Sequence, residues 1–289
     1  MAPLIDAHVH FYDPSRPTSL AWPRKDDREL YRPRLPADYR DRDAAKPVSG
    51  VIAIETSPSI EDNQWVLDLA AADSLIVGFV GNLPLGTADF PRLLARFAAD
   101  PIFRGIRVSH RRLKAGLCSS AWLSDLDRLA RSDLELDVYG GPELLGDVAR
   151  LAEILPQLHI VVDHLANVEI GGLDPAEAWR DGMHAAASHD RVFCKISALV
   201  EGSSRKDARG SAGGDYYRPV LDVAWETFGE NRLMFGSNWP VSERHAQLAV
   251  VQGIVADFVA EKGSSATEKV FHANPARIYR LPTSLDHRI

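Results

Sequence analysis

Short apolar runs rich in β-branched residues alternate along this chain with longer segments whose apolar positions recur every three to four residues. The first pattern predicts strands over 4–8, 50–56, 76–81, 105–108, 134–138, 159–163, 192–196 and 232–235. The second predicts helices over 62–72, 89–98, 121–130, 144–155, 175–187, 217–228 and 244–262. Strands that alternate with helices pair in parallel through crossovers. Eight such units suit a closed (β/α)₈ barrel, the TIM-barrel architecture, which uses about 250 residues as one domain. The 289 residues are therefore expected to form a single domain over 1–289. An open doubly wound sheet is the competing arrangement, but its dinucleotide fingerprint G-x-G-x-x-G is absent, and the strand count favours the barrel.

Two segments exceed plain connections. Residues 11–47, after strand 1, are rich in Pro, Arg and Asp and carry Trp22 and Tyr31. Residues 198–215, after strand 7, are a Gly/Ser/charged stretch. Barrel active sites lie on the loops that follow the strands, so both long loops are expected to act as lids.

Composition narrows the function classes. The net charge of −7 comes without a basic stripe, which argues against nucleic acid as a partner. The two cysteines, Cys118 and Cys194, form no framework and no CxxC pair, and are expected as reduced thiols. The first ten residues lack the marks of a signal peptide, and no apolar run reaches the roughly 18 residues of a membrane span. The expectation is a cytoplasmic enzyme, monomer or homodimer, acting on a small molecule.

Candidate chemistry gathers at the carboxyl ends of the strands. His8 and His10 close strand 1 as H-x-H, and strand alternation sends i and i+2 to one face. Two imidazoles aimed at one point suit a divalent metal such as zinc, where a single histidine would read as a core residue bonded to a carbonyl. His164 follows strand 6 and offers a third ligand from across the barrel, while Asp163 supports a neighbouring histidine or the strand–helix layer. Glu55 ends an apolar run at strand 2, where an unpaired carboxylate is rarely buried. Arg107 and Lys195 place cations inside strands 4 and 7, as substrate-binding groups or as ion-pair partners of Glu55 or Asp137. Trp22, His110, Tyr139 and Trp239 are candidate pocket-lining residues, and Asn238 stands at the end of strand 8. No G-x-S-x-G elbow and no P-loop occur.

Several stretches together resemble the amidohydrolase superfamily, specifically its amidohydrolase-related branch of sugar-lactone and 2-pyrone-4,6-dicarboxylate hydrolases. They are IDAHVHFYDPSR at 5–16, GIRV at 105–108, VVDHLA at 161–166, CKIS at 194–197, LMFGSNWPV at 233–241 and VFHANPARIYRL at 270–281. The resemblance spans nearly the whole chain. It implies a barrel that opens a lactone or related cyclic ester, with His8, His10 and His164 as metal ligands or carbonyl-polarising groups. One divalent metal, zinc first and manganese second, or metal-free catalysis, is consistent with it. One position departs: the superfamily places an aspartate where this chain has Asn238, and a neutral amide takes no proton near pH 7. Glu55 is the expected replacement base, with Asn238 orienting the water. Rival readings are a non-oxidative decarboxylase with a similar histidine set, and a non-catalytic sugar-acid binding protein.

Overall fold

The computed structural model describes residues 4–16, 22–203 and 214–281. Its eight strands are β1 (Leu4–Val9), β2 (Val48–Ile54), β3 (Ile76–Gly81), β4 (Phe103–Ser109), β5 (Glu135–Tyr139), β6 (Ile160–Val162), β7 (Val192–Ile196) and β8 (Leu233–Phe235). Each pairs in parallel with the next, in sequence order. The ring closes at its carboxyl end, just past β8, where Asn238 N donates to His8 O at 2.9 Å and His10 N donates to Trp239 O at 2.8 Å. Helices follow the strands throughout, so the chain is a (β/α)₈ TIM barrel.

Two apolar layers hold it. The larger lies between strands and helices, with Leu93, Phe97, Leu126, Leu151, Trp179 and Val255 among its residues. The smaller brings Ile5, Ile52, Val80, Val161, Phe193 and Met234 together. Those residues come from six strands spaced around the ring, which meet only along the barrel axis. Ile278 and Tyr279 of the C-terminal segment join this inner layer.

The elements sit close to the sequence expectations, with informative differences. β2 stops at Ile54, so Glu55 opens the following loop. β6 is three residues long, because His164, Leu165, Ala166 and Asn167 turn left-handed with φ of 59°, 52°, 57° and 46°. A short helix, His110–Gly116, follows β4, and another, Pro36–Arg40, lies inside the first long loop. The last long helix starts at Leu248, after a turn at Val241–Arg244, rather than at 244. Residues 17–21 of the first long loop and 204–213 of the second lie outside the described residues, and so do those parts of the expected lids.

Candidate active site

The mouth of the barrel is built on β1. Asp6 Oδ1 accepts from His8 N at 3.2 Å and Ser237 N at 2.8 Å, and its Oδ2 accepts from Tyr39 Oη at 2.8 Å. One buried carboxylate thus fixes the histidine strand, the end of β8 and the first long loop together. Above it, His8 Nε2 and His10 Nε2 stand 3.2 Å apart. His10 Nδ1 faces the Ile54 carbonyl at 3.1 Å; a carbonyl only accepts, so Nδ1 carries the proton and Nε2 presents a lone pair.

His8 has two ways to be satisfied. Its Nδ1 lies 3.4 Å from Asp163 Oδ1 and 3.3 Å from Lys195 Nζ. With the proton on Nδ1, the ring donates to Asp163 and both Nε2 atoms offer lone pairs to a shared electrophile. With the proton on Nε2, the ring donates to His10 and accepts from Lys195. His164 stands beside them, its ring centroid 4.3 Å from that of His8 and its Nδ1 2.8 Å from Ser197 Oγ.

Burial drives all three imidazoles toward the neutral form. His10 is lowered to about 3 and His164 to about 4, while His8 falls well below its usual value although Asp163 pulls the other way. At neutral pH all three therefore carry lone pairs.

These donors fit a divalent metal. Two nitrogens at about 2.0–2.1 Å from a tetrahedral ion lie roughly 3.3 Å apart, and the observed Nε2 pair is at 3.2 Å. Potential ligand atoms of His8, His164 and Asp163 also lie within 4.8 Å of one another. Asp163 backs His8 in the manner of a carboxylate that orients a ligating ring.

Beneath the histidines, Lys195 Nζ lies 2.6 Å from Asp137 Oδ2 and 3.0 Å from Asp163 Oδ1. Tyr279 Oη donates to Asp137 at 2.9 Å. Burial opposes charge on Asp163, but Lys195 and His8 outweigh it and hold this carboxyl well below the usual range. Burial pushes Asp137 up to about 7 against the pull of Lys195.

A cavity of about 650 Å³ opens above, lined by His10, Trp22, Glu55, Tyr139 and three arginines, Arg107, Arg111 and Arg112. Arg107 Nε donates to Glu55 Oε1 at 2.9 Å, and its guanidinium lies 4.5 Å from the Tyr139 ring centroid. One carboxylate against three guanidiniums leaves this wall positive.

The structure brings His8, His10 and His164 together and sets Trp22, Glu55, Arg107 and Tyr139 around the adjacent cavity. Lys195 is fully buried between Asp137 and Asp163, which is the ion-pair alternative rather than the substrate contact. Two other expectations are corrected. Trp239 bridges to Val9 and turns away from the mouth, its buried ring against Tyr39 and Phe11 and its Nε1 on Glu243. His110 is bound to Asp147 at 2.8 Å and does not line the cavity. Glu55, the expected base, is bound to Arg107.

Sequence reasoning missed Glu201, whose Oε1 accepts from Asn238 Nδ2 at 2.8 Å. The signal was present: Glu201 ends the apolar run Ala198-Leu-Val just as Glu55 ends its own. The expected lid over 198–215 gives this position no separate role. Burial pushes this carboxyl up to about 7.

Comparison with known proteins agrees with the barrel fold. A family model described as amidohydrolase matches residues 5–281. The L-fucono-1,5-lactonase of Burkholderia ambifaria is 32% identical over 291 residues, covering 96% of this chain and 95% of that protein. The L-fucono-1,5-lactonase of Burkholderia multivorans is 26% identical, covering 99% of this chain and 98% of that protein. A crystal structure of an amidohydrolase from Burkholderia multivorans with bound zinc shares the fold, with a TM-score of 0.83 at 24% identity, covering 97% of this chain and 100% of that chain.

Proposed function

The chain belongs to the amidohydrolase family, and on that premise we propose that it opens the ring ester of a sugar-acid lactone of the fuconolactone, rhamnonolactone or galactarolactone type. The observation that carries the reading is the cluster of neutral His8, His10 and His164, the first two buried and the third half-buried, beside a cavity lined by cations and aromatic rings. The similarity to lactonases over nearly the whole chain supports it.

In the proposed reaction a water attacks the lactone carbonyl, the ring C–O bond breaks, and a hydroxy acid leaves. The histidines polarise the carbonyl and stabilise the oxyanion that forms. Glu55 or a histidine, through the lone pair it turns to the site, accepts the proton of the attacking water, and the ring oxygen leaves protonated. His8, His10 and His164 are the residues that would hold a divalent metal, zinc first and manganese second. When bound, such an ion supplies Lewis-acid polarisation and makes water more acidic. Asn238 orients the attacking water through its amide oxygen. Trp22 and Tyr139 offer flat faces to the sugar ring, and Arg107, held by Glu55, offers donors to its oxygens.

The test is a pH-indicator titration of the purified protein against a panel of sugar-acid lactones, taken with its metal content. Consumption of base by at least one lactone, reduced about 100-fold or more in His8→Ala, is the expected result. Release of carbon dioxide from a carboxylic acid without lactone turnover would make the protein a decarboxylase instead. Ligand-induced stabilisation without any turnover would make it a sugar-acid binding protein.

A further inference from the structure

The asparagine at the end of strand 8 is uncharged, and a neighbouring loop sets a carboxylate against it. Glu201 follows β7 on a turn closed by Gly202 N donating to Ala198 O at 3.0 Å. Its Oε1 accepts from Asn238 Nδ2. We propose that Glu201 is a positioning residue for hydrolysis: its carboxylate holds the Asn238 amide by the nitrogen, leaves Oδ1 as the free acceptor, and provides the negative charge that an asparagine cannot. The activity readouts below rest on the lactonase reading; the spectroscopic one does not.

The argument begins with donor and acceptor chemistry. An ionised carboxylate only accepts, so only Nδ2 of the amide satisfies it. The hydrogen bond is charge-assisted and correspondingly strong. Among the described residues Asn238 Oδ1 makes no hydrogen bond of its own, and it is the atom left to hold a water or a substrate hydroxyl. Asn238 is itself held rigidly. Its backbone N donates to His8 O, its backbone O accepts from Val241 N and Ser242 N, and its φ is 58°.

The second oxygen of the carboxylate, Oε2, is buried and has no hydrogen-bond partner among the described residues. A structural carboxylate is normally satisfied at both oxygens, because an unmet buried acceptor is destabilising. The titratable group that faces it from the helix Gly214–Phe228 is Tyr217, whose own Oη is buried with no hydrogen-bond partner among the described residues. No ion pair joins Glu201 to a lysine or arginine among the described residues.

The other ionisable groups of the site fill the role less well. His8, His10 and His164 are held neutral far below pH 7. Glu55 is engaged by Arg107, and Asp137 is sealed under the histidines with Lys195 and Tyr279. Burial leaves Glu201 titrating at about 7, where a change of charge alters its hold on Asn238.

The sign of the stability effect separates function from structure. Burial raises this carboxyl in the folded state above its usual 4.5. The fold therefore loses stability as pH rises from that value through about 7, and keeps the loss above it. A neutral glutamine at 201 removes the penalty.

Three measurements decide it, on wild type, Glu201→Gln and Glu201→Asp. In the first, selectively ¹⁵N-Asn-labelled protein shows the Asn238 side-chain amide, assigned by its loss in Asn238→Ser. That signal moves with a midpoint near pH 7 in wild type and stays fixed in Glu201→Gln. In the second, the kcat profile of wild type has an acid limb near pH 7. Glu201→Gln loses the limb, with kcat down about 10- to 100-fold, KM little changed, and partial rescue in Glu201→Asp. In the third, Glu201→Gln melts above wild type at pH 8, by a margin that shrinks toward pH 5.

An Asn238 signal indifferent to pH between 5 and 9 overturns the proposal whether or not any lactone is turned over. So does a Glu201→Gln enzyme that keeps the wild-type acid limb, although the lactonase reading then survives. A Glu201→Gln that melts below wild type at every pH makes Glu201 a structural residue and also overturns it. Failure of wild type on every lactone sinks the lactonase reading alone, and the amide titration then decides for or against Glu201.

Discussion

At the scale of single residues, the centre is governed by where protons sit on His8. Its Nδ1 lies between an anion, Asp163, and a cation, Lys195, at 3.4 and 3.3 Å. The tautomer that donates to Asp163 frees the Nε2 lone pair, and the one that accepts from Lys195 ties Nε2 to His10. Asp163→Asn weakens the first state. Metal retention, read by dialysis and elemental analysis, is expected to fall about 10- to 100-fold, as for other carboxylates behind a ligating histidine. Unchanged retention would show that Asp163 does not set the ring. Lys195 belongs to the same cluster for a different reason. Lys195→Met leaves two buried carboxyls, Asp137 and Asp163, without their counter-ion. Removing one partner of a buried pair destabilises by about 3–5 kcal/mol. Urea denaturation is expected to show that loss; a raised KM at unchanged stability would return Lys195 to the substrate.

At the scale of elements, three successive strands end in left-handed residues without glycine: His164 after β6, Ala198 after β7 and Asn238 after β8, at φ of 59°, 53° and 58°. Such a backbone costs about 1–2 kcal/mol per residue for a chain of L-amino acids. Here it carries site groups, or their immediate neighbours, off the strand path toward the barrel mouth. Ala198→Gly should leave stability unchanged or raise it by up to about 1 kcal/mol. Ala198→Val should lower it, because a β-branched residue suits this region poorly. Chemical denaturation of the pair checks this, and equal effects from both would remove strain from the account. The strands themselves were legible in the sequence, and 76–81 and 192–196 match it end for end. Periodicity reports burial, however, and buried Asp163 closes an apolar run, so the pattern does not show that the strand ends at Val162 before the left-handed turn from His164. The histidine pair was legible because i and i+2 share a face. The same rule, applied one residue past Asn238, places Trp239 on the opposite face, beside Val9. Glu201 carries the same local signal as Glu55, an acid closing an apolar run, but its pairing with Asn238 across the loop is in no local pattern.

At the scale of the whole molecule, the stability of the barrel reflects two opposed sets of buried groups. His8, His10, His159 and His164 are held below 6.5 by burial, so each contributes stability above that pH and loses it as pH falls through its folded value. Asp6, Glu135, Asp137 and Glu201 are raised by burial, so each loses stability as pH rises above the usual carboxyl range. Between about pH 5 and 6.5 the two sets offset each other, and the melting temperature is expected to be nearly flat. Below about pH 4 these four carboxyls are largely protonated folded or unfolded, the histidine loss continues, and Asp163, held well below the usual range in the fold, begins to lose its own contribution, so stability should drop. His159 isolates one contribution away from the proposed site. Its Nδ1 lies 3.1 Å from Glu135 Oε2 and its Nε2 2.9 Å from Arg191 Nη1, an arrangement that suits a neutral ring. Burial first, then Arg280 and Arg191, lowers it to about 4. In His159→Gln the pH-linked loss is absent, so the variant's deficit against wild type should shrink as pH falls from 7 to 4.5. One pKa unit corresponds to about 1.4 kcal/mol for a fully buried group. Solvent screening of this half-buried ring reduces that to under about 1 kcal/mol per pH unit. Denaturation curves at four pH values measure it. A deficit that stays constant across the range would mean that His159 is not held neutral by the fold, and would remove one of the four histidines on which the flat region depends.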